Sequence, residues 1–145
     1  MNTIPFERKY VNRLVNEWKE HGKILCAVDF DDTISPWRLQ DQETCDTIIE
    51  ILKQVKQTGA YLIVFTACNA DRYPEIISYC ESKGLKIDEI NKNPISLPYG
   101  NNGKVYANIF LDDRAGLNES ILTLQTALYE YRGYLQNQQQ LDEIG

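Results

Sequence analysis

The stretch Ile24-Leu25-Cys26-Ala27-Val28-Asp29-Phe30-Asp31-Asp32-Thr33 decides the fold. Five apolar residues run without alternation and stop at a carboxylate. A run this short and evenly apolar reads as a strand buried on both faces, the kind found in parallel sheets. Two later runs behave the same way. Residues 61–65 end at Thr66, and Ile109-Phe110-Leu111 ends at Asp112-Asp113. A weaker strand is expected within 85–91.

Helical periods lie between these runs. Phe6, Tyr10, Leu14 and Trp18, widened by Val11 and Val15, predict a helix over about 5–21, with Pro5 in its first turn and Gly22 as its stop. Cys45, Ile48, Ile49, Leu52 and Val55 predict a second helix closed by Gly59. Pro74, Ile76, Ile77 and Cys80 predict a third, stopped by Gly84. Ile121, Leu124, Leu128, Tyr131 and Leu135 predict a long final helix, with a fraying polar tail over 136–145. Residues 33–43 and the Pro-, Gly- and Asn-rich 93–103 read as loops. Strands alternating with helices imply βαβ units. The expected fold is therefore α/β, a three-layer, Rossmann-like sandwich with a mainly parallel sheet and helices on both faces. No repeat, cap or second domain is visible, so 1–145 reads as one domain with its core over about 23–135.

The chain has 145 residues, 21 of them acidic and 15 basic, for a net charge of −6. At this size a chain buries roughly 70% of the surface its unfolded form exposes and needs no staples. The acidic balance argues against a nucleic-acid partner. No apolar stretch reaches the roughly 20 residues of a membrane helix, and residues 1–19 carry no apolar signal core, so a cytoplasmic location is expected. The four cysteines show no CxxC spacing and are expected to be free thiols in a reducing compartment. One histidine, His21, supplies neither a zinc site nor a Ser-His or Cys-His pair. A thiol phosphatase built on Cys68 would need Arg six residues on, where Pro74 stands. The chemistry falls to the carboxylates.

In open α/β sheets, ligands bind beyond the carboxyl ends of the strands. Asp29, Asp31, Thr66, Asp112 and Asp113 all belong to that edge. Carboxylates crowded there repel, and a hard cation such as Mg²⁺ relieves the repulsion while leaving room for phosphate oxygens. A strand-end Asp can form a covalent phosphoenzyme, and a second Asp on the turn can act as acid and then base. Taken singly, each residue has a plainer reading: Asp29 as a turn residue, Asp112-Asp113 and Thr66 as helix caps.

Together these segments resemble the haloacid dehalogenase (HAD) superfamily. Val28-Asp29-Phe30-Asp31-Asp32-Thr33 is similar to its first motif, an apolar strand followed by DxDxT. Leu62-Ile63-Val64-Phe65-Thr66 is similar to the second, and Ile109-Phe110-Leu111-Asp112-Asp113 to the fourth. The resemblance spans about 23–116 and is closest to small capless members. It implies Asp29 as nucleophile and Mg²⁺ ligand. It implies Asp31 as acid/base, with its backbone carbonyl on the metal. Asp112 and Asp113 would complete the metal site, and Thr66 would hold the phosphoryl group. Among Lys83, Lys86, Lys92 and Lys104, the third-motif lysine is assigned to Lys104, with Lys92 the runner-up.

Two positions depart from the family pattern. Asp32 stands where many relatives have Gly, and is read as a solvated residue. Cys68 stands where similar members often carry Arg, with Arg72 the substitute. Trp37 is read as packing, although it follows the DxDxT loop closely enough to border an entrance.

The implied activity is Mg²⁺-dependent hydrolysis of a phosphomonoester through an aspartyl-phosphate. A small phosphorylated metabolite or nucleotide is the expected substrate. The alternatives are a silent HAD-fold binding or regulatory protein and a nucleic-acid-end phosphatase. A Toprim-like nuclease needs its DxD on a late strand. A receiver domain needs a lone Asp on a middle strand before the Thr. The sequence meets neither requirement.

Overall fold

The computed structural model describes residues 4–96 and 105–145. Its elements are α1 (Lys9–His21), β1 (Ile24–Val28), α2 (Gln42–Gly59), β2 (Ala60–Val64), α3 (Tyr73–Ser82), β3 (Glu89–Ile90), β4 (Ile109–Leu111) and α4 (Leu117–Ile144). A turn of 3₁₀ helix, Ala70–Arg72, leads into α3. The sheet order is β3-β2-β1-β4 and every neighbouring pair is parallel. The fold is α/β and Rossmann-like. All five residues of β1 are buried, as a central strand requires.

Register sets up the functional edge. Val28 lies opposite both Val64 and Leu111, and Val64 lies opposite Ile90. The four strands therefore end level, and the residues after them emerge side by side.

The two faces of the sheet are covered differently. Side chains from all four helices pack with Ile24, Cys26, Val28, Leu62 and Val64 in one large core. On the far face, Leu25, Ala27 and Ile63 meet Val105, with Tyr61, Tyr106 and Phe110 around them. Three layers result, but among the described residues the third is irregular rather than helical. The described residues of the β3–β4 connection, 91–96 and 105–108, form no helix. Asn93 pins it by donating from Nδ2 to Tyr106 O (2.7 Å) and accepting the Tyr106 N–H on Oδ1 (3.2 Å). Among the described residues no helix is long and apolar enough to cross a membrane.

Four element boundaries differ from the sequence reading. Helix α1 starts at Lys9, and Phe6 and Tyr10 are about half exposed. The packed stripe is Val11, Leu14, Val15 and Trp18. Its phase is set by Trp18, which stacks on Tyr131 at 4.8 Å and donates Nε1–H to Gly59 O at 2.9 Å. The Tyr10 ring instead carries Lys9 and Arg13. Helix α2 starts early, at Gln42, because Asp41 caps it by accepting the Thr44 N–H at 2.7 Å. Strand β2 spans Ala60–Val64, leaving Phe65 outside it. Helix α4 continues to Ile144 through the polar tail, whose Gln and Leu residues favour helix without packing.

Gly59 closes α2 at φ +133, and a Cβ there would lie 2.4 Å from the backbone oxygen of Gly22. Both the conformation and the contact exclude a side chain. Gly59→Ala is expected to cost about 2–4 kcal/mol and lower the Tm by about 10 °C, measured by calorimetry. An unchanged Tm would mean that the α2–β2 junction is not held as described.

Candidate active site

Asp29 is the first residue beyond β1, and its N–H donates to Leu111 O at 2.8 Å. That bond ties the end of β1 to β4 immediately before Asp112. Asp29, Asp112 and Asp113 are each partly buried and each offers a carboxylate oxygen, and these atoms all lie within 4.8 Å of one another. Burial first, then a hydrogen bond to Asp113 and the charges of Asp112 and Asp113, push the Asp29 carboxyl up to about 7. The Phe30 N–H opposes this shift without cancelling it. Protonation of Asp29 relieves the crowding, and a cation would relieve it too. The donor set is all oxygen, which suits a hard divalent ion. Asp112 is oriented by the Arg114 N–H, which donates to its Oδ1 at 2.9 Å.

The Asp31 carboxylate stands outside this trio. Its Oδ2 accepts from Nη1 of Arg72 at 3.3 Å, and the Arg72 Nε lies 3.8 Å from Glu75. Arg72 is thus brought to the site from the start of α3. Among the described ion pairs it is the one that joins a cation to a candidate-site carboxylate.

Thr66 lies two residues past β2. Its N–H donates to Oδ1 of Asn91 at 2.8 Å, and its O accepts from Nδ2 of Asn91 at 2.7 Å. Asn91 also donates to the Tyr73 hydroxyl at 2.9 Å and sits at φ +58, a left-handed conformation that asparagine tolerates. Asn91 therefore takes the Thr66 N–H, which is not free for a phosphoryl oxygen. The Thr66 hydroxyl oxygen accepts from the Cys68 N–H at 3.3 Å, leaving its O–H to donate. Asn91 went unnoticed in the sequence. Its partner is 25 positions away, and no local pattern marks it.

Asp32 is also corrected. It is 5% exposed, at φ +60, and its Oδ1 accepts the N–H groups of Trp37, Arg38, Leu39 and Gln40 at 2.9–3.1 Å. Burial alone would raise its carboxyl, but the four amides outweigh that and hold it below the usual carboxylate range. The positive φ explains why glycine serves at such a position. The loop 35–40 is thereby strapped against the DxDxT turn, where Asp31 and Ser35 form a parallel bridge. Beneath it Phe30 and Ile34 are buried, Ile34 O accepts from the Tyr79 hydroxyl at 2.7 Å, and Thr33 is fully buried. Asp32→Ala is expected to strip hydrogen-exchange protection from the amides of 37–40 together, while Asp32→Asn keeps most of it. Independent loss, one amide at a time, would contradict a shared acceptor.

Of the lysines, Lys83 pairs with Asp46 at 3.0 Å, Lys86 is exposed, and Lys92 is exposed and 3.6 Å from Glu89. Lys104 lies outside the described residues. Cys26, Cys45 and Cys80 are buried, and burial pushes their thiols up to about 12, 11 and 11. Such thiols are poor nucleophiles. Trp37, read as packing, is 58% exposed. A cleft of about 660 Å³ between the N-terminal segment, β4 and the start of α4 contains none of these site residues.

No family model and no curated protein matches the chain. Among solved structures it is similar to a conserved protein coded by a locus from Bacteroides thetaiotaomicron. The two share 29% identity over 63% of this chain and 77% of that chain, with a TM-score of 0.54. The likeness supports the α/β fold.

Proposed function

We propose that the chain is a phosphomonoester hydrolase of the haloacid dehalogenase type, dependent on a divalent cation and working through an aspartyl-phosphate on Asp29. The observation that carries this reading is the trio of carboxylates at the level ends of β1 and β4, with the Asp29 carboxyl displaced to about 7. Displacement of that size, caused by burial and like charge at a strand end, marks groups built for chemistry. Asp29, Asp112 and Asp113 would hold Mg²⁺, with the carbonyl of Asp31 as a further donor from the HAD resemblance. The ion supplies the positive charge that lets a phosphate dianion approach the carboxylates.

The protein's own residues do the rest. An Asp29 oxygen attacks phosphorus as the bond from phosphorus to the leaving oxygen breaks. Asp31 gives its proton to that oxygen. Asp31 then takes a proton from water, whose oxygen attacks the same phosphorus and releases Asp29 and inorganic phosphate. The Thr66 hydroxyl donates to a phosphoryl oxygen, and Asn91 fixes the backbone that carries it. Arg72 holds Asp31 in place, and Lys104 is the assigned partner for phosphoryl charge. The substrate is a small phosphorylated metabolite or nucleotide reaching the strand-end edge. The test is release of inorganic phosphate by purified protein with Mg²⁺ and its loss in Asp29→Asn. A chain that binds phosphate esters but releases none would instead be the silent binding protein.

A further inference from the structure

We propose that Trp37 is a platform for the leaving group, and that the substrates are phosphomonoesters whose leaving group carries a planar aromatic ring. This rests on the reading of the site as a phosphomonoesterase. The chain has two tryptophans. Trp18 is fully buried against Tyr131, whereas Trp37 is 58% exposed. An exposed indole on a loose loop would need no explanation, but this loop is not loose. The N–H groups of Trp37 and the three residues after it share one buried carboxylate oxygen, that of Asp32. Asp32 is the neighbour of Asp31, and the same loop bridges back to Asp31 at Ser35.

The backbone that carries the ring is thus anchored six residues from the proposed acid. Asp31 protonates the leaving oxygen, so the leaving group passes on that side. The Arg38 guanidinium stacks on the indole with its central carbon 3.9 Å from the ring centre. Leu39, on the same strapped loop, is 77% exposed. An exposed indole on a strapped loop, beside a guanidinium, offers a π surface and positive charge to an anionic aromatic ester. An aliphatic phosphate gains nothing from the indole.

The test compares adenosine 5′-monophosphate, phenyl phosphate and glycerol 3-phosphate with the native chain, Trp37→Ala and Trp37→Phe. The ratio of kcat/KM for adenosine monophosphate over glycerol 3-phosphate is expected to fall about tenfold in Trp37→Ala, mainly through KM, and to be largely kept in Trp37→Phe. A parallel fall for phenyl phosphate would mark a general aromatic site. A fall for the nucleotide alone would mark a nucleobase site.

A second readout needs no turnover. In Asp29→Asn, adenosine monophosphate is expected to quench tryptophan emission saturably and glycerol 3-phosphate is not, because Trp18 is shielded. An unchanged ratio in Trp37→Ala, or equal quenching by the two ligands, overturns the platform. Absence of phosphate release from all three esters by the native chain sinks the hydrolase reading alone, and the quenching titration still decides for or against the platform.

Discussion

Asp29→Asn is expected to reduce phosphate release by roughly 10⁴–10⁶-fold, the scale on which deleting a nucleophile acts. The amide is nearly isosteric and keeps the backbone bond to Leu111 O. It lacks the nucleophilic oxygen and the charge that Asp29 carries above about pH 7. That second loss predicts a signature that misfolding would not give. Asp29 is partly buried and crowded by Asp112 and Asp113. At pH 8 without added metal, removing that charge should leave the Tm unchanged or raise it. Turnover should vanish while the Tm holds, measured on the same preparation. Near-normal turnover in Asp29→Asn would falsify the covalent route.

The second large effect is the response to Mg²⁺ and pH. In metal-free protein the Asp29 carboxyl is pushed up to about 7, against 3.8 for the free side chain. Between these values the folded chain holds a proton that the unfolded chain has released. Stability from this group is therefore full below about pH 4 and is lost as pH rises towards and through 7. A cation that replaces the proton restores it. Mg²⁺ at a hundred times its Kd adds about 2.7 kcal/mol. For a chain of this size that is a Tm rise of roughly 5–10 °C. The rise should be largest at pH 8, small at pH 5, reversed by EDTA and much reduced in Asp112→Asn. The same Tm with and without Mg²⁺ at pH 8 would remove the metal from the mechanism.

The parts of this architecture that are local in sequence were legible there. The uninterrupted apolar run of β1 and its stop at Asp29 specify a central parallel strand and its open end. The same grammar at Leu111-Asp112-Asp113 delivers the rest of the trio, because level strand ends convert sequence position into spatial position. What was not legible depends on long-range pairing. Arg72 meets Asp31 across 41 positions, and Asn91 takes the Thr66 N–H across 25. Asp32 resembled a solvated acid because nothing in its composition says that four amides will converge on it. The phase of α1 also escaped, since Phe6 and Tyr10 fit the helical period and only the docking of Trp18 against Tyr131 and Gly59 rotates them outward.

The sheet order has a consequence for how the molecule assembles. β1 is the first strand made, yet it lies between β2 and β4, and β4 is the last. A growing chain can pair β1, β2 and β3 with Asp29 facing no other acid of the trio. The electrostatic cost arises only when the three residues of β4 dock and carry Asp112 and Asp113 against it. Docking of β4 is therefore the step that charge opposes, and it carries α4 with it. A divalent ion in the medium acts on that last docking more than on earlier collapse. In this topology the acidic trio is complete only once the last strand is in place.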